Sequence, residues 1–121
     1  MQIDDKQIRD VQVKMQECIK QMRKLAPLVG IARQVKEFSS DQRKNALAAE
    51  VIKYIQRGES AAASEGLARA NPAYLEAFKK LQQDYSDACG TIAEWEAVFA
   101  RFEAARSIHA MLKSYLVSMP E

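Results

Sequence analysis

A chain of 121 residues, 48% hydrophobic and 28% charged with a net charge of +2, is expected to fold as one domain with a real core. That balance argues against wholesale disorder, and no stretch approaches the roughly 18 uninterrupted apolar residues of a membrane span. Four glycines, three prolines and the lack of any β-branched run bounded by turn residues predict an all-α fold.

The first helix is expected over about 3–37, starting near Ile3–Asp5, where acidic side chains favour a helix N-terminus. The opening "MQIDDKQIRD" is acidic and polar, unlike a secretory signal. Two apolar series then repeat every seven residues: Ile8, Met15, Met22 and Val29, and Val11, Cys18, Leu25 and Ala32. This is the pattern of a helix packed lengthwise on another helix. Pro27 interrupts it, and because the seam keeps its phase, a kink near 27 is expected instead of a reversal.

At "FSSDQRKN" the sequence predicts a boundary. Ser39 with Gln42 fits a capping box, Asp41 suits a first turn, and Phe38 is placed as a hydrophobic staple. A second helix is expected over 40–57, carrying Leu47, Val51, Tyr54 and Ile55, and ending at Arg57 and Gly58. Residues 58–71 read as a connector, in which the alanines of "SAAASEGLARA" allow a short helix that Gly66 weakens. Asn71 as cap and Pro72 at the first helical position then open a third helix over 72–118. Its apolar residues run in phase from Tyr74 to Phe102 through Gly90, so this helix is expected to be bent or split near 90.

The candidates for chemistry are few. Trp95, Phe102, His109 and Leu116 form one seam series, and Val98, Ala105, Leu112 and Met119 the other. The lone histidine therefore stands among apolar seam positions. Packing or register-setting is the expected role, with a pH switch as the sharper alternative. A bundle metal site needs several histidines, cysteines or Glu-x-x-His repeats, so no metal or cofactor is expected. Cys18 and Cys89 are far apart at apolar-phase positions and read as reduced, buried thiols, which points to the cytoplasm. The carboxylate pairs Asp84 with Asp87 and Glu94 with Glu96 read as solvated helix surface. No phosphate loop or nucleophile elbow appears, and no enzyme activity is expected.

Charge is spread unevenly. Residues 1–57 carry twelve Lys/Arg against seven Asp/Glu, and residues 58–121 carry six against nine. The two halves can attract each other as they pack, or the first can serve as a basic surface. Lys6, Arg9, Lys20, Arg23 and Lys24 share one stripe of the first helix, nearly opposite the seam. A solvated face is the plain reading, and contact with nucleic-acid phosphates is the alternative.

The segment "FARFEAARSIHAMLKSYL", with Phe102, Glu103, Arg106, Ser107 and Lys113, together with Arg43 in the upstream "SSDQRK", resembles small all-helical accessory proteins of phage and prophage genomes. Several of those are encoded among DNA replication and recombination functions. The resemblance implies a cytoplasmic, non-catalytic accessory protein that bears on DNA processing.

Together these readings give an elongated all-α bundle, or long helical hairpin, with coiled-coil-like heptad seams. The expected interaction seam is Met15, Cys18, Met22, Leu25, Trp95, Val98, Phe102, His109, Leu112 and Leu116. The expected partners are a second copy of the chain, in a homodimer or larger assembly, and another protein. Nucleic acid is the alternative partner, and no membrane is expected.

Overall fold

The computed structural model describes residues 4–118, so Ile3 at the expected start of the first helix and Met119 at the end of the second seam series lie outside the described residues. Their fold is all-α: α1 (Asp5–Gln56), α2 (Ala61–Ala70) and α3 (Pro72–Ser118), with no strand among the described residues. The helices gather into two compact units. One combines α1 up to Gly30 with α3 from Thr91, and the other takes Ile31–Gly90.

Each helix end has a local cause. Asp4 and Gln7 form a reciprocal capping box: the Gln7 amide donates to Asp4 Oδ1 at 2.9 Å, and the Asp4 amide to Gln7 Oε1 at 3.1 Å. Two of the orphan donors at the start of α1 are thereby satisfied. At the other end, Gly58 adopts a positive φ of 97°. Its amide donates to the Ile55 carbonyl at 3.0 Å, while that of Glu59 donates to the Tyr54 carbonyl at 3.2 Å. This pairing is a Schellman motif. Asn71 opens α3 as expected, its Oδ1 accepting from the Ala73 amide at 2.8 Å with Pro72 behind it.

Two expected boundaries differ from the structure. No break occurs between 37 and 40, because α1 runs through "FSSDQRKN" without interruption. Ser39 is buried, and its hydroxyl folds back to the Lys36 carbonyl at 3.1 Å instead of capping a new helix. Ser39 and Ala46 extend the series Val11, Cys18, Leu25 and Ala32, so packing continues in phase and overrides the local cap signal. The expected connector also holds a helix. Ser60 caps α2 by accepting from the Ala63 amide at 3.2 Å, and Glu65 pairs with Arg69 at 3.0 Å across one turn.

The expected interruptions at Pro27 and Gly90 do not end their helices. Pro27 deprives the Arg23 carbonyl of its intrahelical donor. Both residues are exposed, on the side of α1 away from Cys18 and Leu25, where water can take the freed acceptor.

In the second unit the most deeply buried residues are small, with Ser64 and Ala68 at 0% exposure on one face of α2. Tyr74 is buried too, its ring centroid 6.0 Å from that of Phe78. Asn71 Nδ2 donates to the Tyr54 hydroxyl at 2.9 Å, tying the start of α3 to the end of α1.

Candidate functional site

In the first unit, the heptad spacing places a continuous apolar edge of α1 against α3. Cys18, Leu25 and Val29 meet Val98 in a buried cluster, with Met22, Trp95 and Phe102 packed around it. Leu112 and Ala105 are buried as well, and Met15 is half-buried. The two helix segments run antiparallel here, since Gln12 reaches His109 while Gln21 reaches Arg101. Nine of the ten expected seam residues thus lie at buried or half-buried positions. Leu116 is the exception, at 37% exposure near the end of α3.

His109 is half-buried at the edge of this seam, its Nε2 lying 3.3 Å from Gln12 Nε2. The contact ties the edge of α3 to α1 through two polar side chains. Among the described residues, no group of three His, Cys, Asp or Glu is placed to hold a metal ion. Both cysteines are free, Cys18 buried and Cys89 half-buried. Asp87 accepts from the Gln83 amide group at 2.8 Å, a contact along one helix face. Arg106 and Glu103 pair at 2.8 Å in the same manner.

The basic stripe lies on the outer face of α1. Lys6, Arg9, Lys20, Arg23 and Lys24 are all exposed, and none enters a salt bridge among the described residues. The stripe is not purely polar. Val13, 55% exposed, shares a shallow depression with Arg9, Gln16, Lys20 and Arg23, and Glu17 borders it. An acidic group and an apolar one therefore weaken the field that a phosphate would meet.

A further face was missed by the heptad reading. Along α3, on a side distinct from the seam, Ala97, Ala100, Ala104, Ile108, Met111 and Tyr115 form one exposed apolar line. Their steps of three and four average close to the helical repeat, which holds them on one side of a straight helix. The signal was present in the sequence as an eleven-residue spacing, Ala93 to Ala104 to Tyr115. It was masked because alanine is also simply a good helix former. Beside this line, Cys18, Ala104, Ala105 and Ile108 floor a groove of about 410 Å³ between α1 and α3, bordered by Lys14 and Arg101.

No helix among the described residues is long and apolar enough to cross a membrane. No protein-family model, curated protein or solved structure matches the chain.

Proposed function

We propose that this is a non-catalytic protein–protein interaction protein, an adaptor, inhibitor or assembly factor that works through its helical faces and self-associates. One observation carries the reading. Among the described residues fifteen large hydrophobic side chains are more than a third exposed, and three of them on α3, Ile108, Met111 and Tyr115, fall on one line at helical spacing. Exposed apolar lines of this kind mark contact surfaces. The heptad seam joining α1 to α3 in the first unit favours coiled-coil-like association, and the two free thiols favour the cytoplasm.

Sedimentation velocity at tens of micromolar tests this reading. The expected result is a species of at least twice the chain mass. A strict monomer would remove self-association.

The second reading is a nucleic-acid-binding accessory, in keeping with the phage resemblance, with Lys6, Arg9, Lys20, Arg23 and Lys24 contacting phosphates. Its support is that all five charges are exposed and outside salt bridges. Phosphate contacts are strongest at low salt, so a gel shift across a salt series decides. Absence of binding at the lowest salt ends this reading.

A further inference from the structure

We infer that the exposed alanine-to-methionine line of α3 is a homodimer interface, in which two copies of α3 pack antiparallel about a two-fold axis at Ala104. The inference rests on the self-association proposed above and assigns it a face and a register.

The support is the order of side-chain sizes along that line. Small residues fill its first half, Ala97 and Ala100, while large ones fill its second half, Ile108 and Met111. The order is symmetric in spacing about Ala104. Ala100 and Ile108 stand four residues to either side, Ala97 and Met111 seven, and Ala93 and Tyr115 eleven. In an antiparallel pair centred on Ala104, each large side chain of one copy lies at the height of an alanine of the other. Ile108 is 45% exposed and Met111 49%, so both have area to bury, and the facing alanines leave room for it.

Parallel packing fails the same test. It would set Ile108 against Ile108 and Met111 against Met111, while alanine faced alanine at the other end across a void. Protein interfaces pack to interior density with few voids, and alternating large and small residues across facing positions is what lets two surfaces interdigitate. The size order therefore selects antiparallel pairing. A contact that places residue 100 on 108 and 108 on 100 is isologous and closes at two copies.

Charge agrees with this placement. No acidic or basic residue stands in the line from Ala97 to Tyr115. Lys14, Glu17 and Arg101 stand at its edge, around the groove that Ala104 and Ile108 floor, and Arg101 Nη2 donates there to Gln21 Oε1 at 3.4 Å. An apolar centre with charge at its rim is the usual anatomy of a homodimer contact.

The test uses the full chain with Cys18→Ala and Cys89→Ala, into which single cysteines are placed. Ala104→Cys, on the axis, should give a disulfide-linked dimer on mild oxidation. Ala97→Cys and Met111→Cys should each crosslink poorly alone but efficiently when mixed. Lys113→Cys, on the opposite side of α3, should not crosslink. Separately, Ile108→Asp should weaken the dimer at least tenfold in sedimentation while far-UV circular dichroism keeps its helical amplitude. A dimer in sedimentation that crosslinks at Lys113→Cys but not at Ala104→Cys, or that survives Ile108→Asp, overturns the assigned face and leaves self-association standing. A strict monomer of the unaltered chain overturns both.

Discussion

Gly58 is the one described residue that the backbone forces to be glycine. Its φ of 97° is closed to most L-residues, and an added Cβ would meet nothing within 4 Å. Replacement is therefore a backbone penalty with no steric clash mixed in. Gly58→Ala is expected to cost about 1–2 kcal/mol, read as a lower urea midpoint at unchanged slope. Ser64 gives the opposite sign. It is fully buried and its hydroxyl has no hydrogen-bond partner. Ser64→Ala removes an unsatisfied polar atom, keeps the shape, and improves helix propensity, so a gain of about 0.5–2 kcal/mol is expected. No change, or a loss, in chemical denaturation would mean that the hydroxyl is satisfied in solution. The structure thus supplies two single-atom-scale tests, one in each direction, both within the second unit.

At the scale of the element, α1 shows how a chain tolerates punctuation. Pro27 sits within a 52-residue helix, on the face away from the seam, so its cost is a lost hydrogen bond to solvent-exposed backbone. Pro27→Ala should restore that bond and raise stability by about 1–3 kcal/mol. An unchanged unfolding midpoint would show that the helix gains nothing there. The helix ends were readable where a side chain or a glycine has little alternative role. Gly58 after Arg57, and Asn71 before Pro72, are such cases, and each lies where the spacing put it. Ser39 was misread because Ser-x-x-Gln permits a cap without requiring one. The same hydroxyl can bond back to its own helix, as it does to Lys36. What decided the matter was phase, since Ser39 falls on the line of Cys18, Leu25 and Ala32, all buried. The α2 helix was under-read for a related reason. "SAAASEGLARA" lacks large apolar residues, yet Ser64 and Ala68 need only to be small to be completely buried. The candidate seam was legible because Trp95, Phe102 and Leu25 announce themselves by size. The alanine line of α3 was not, because a contact built on small residues looks like plain helix.

At the scale of the whole molecule, the balance of buried and exposed surface dominates. Ten hydrophobic residues make up the buried core among the described residues, four of them alanines. Such a core supplies modest stability alone, since burial stabilises in proportion to apolar area. An assembly that covers more of that area binds the folded state and not the unfolded one, which raises apparent stability by mass action. The midpoint of thermal unfolding should therefore rise with protein concentration over the range in which sedimentation detects association. A midpoint independent of concentration across a hundredfold range would argue that the exposed faces stay open in solution.

Trp95 has one more consequence. It is the chain's only tryptophan, and it packs beside Cys18, Leu25, Val29 and Val98 in the first unit. Three of the four tyrosines, Tyr54, Tyr74 and Tyr85, belong to the second unit. Excitation selective for indole thus lights up one unit alone, while the far-ultraviolet amide signal sums over all three helices. Nature has placed a fluorophore where the native chain needs no label. Superposition of the two melting curves would reveal joint collapse of the units, and an earlier loss of either signal would show which gives way first.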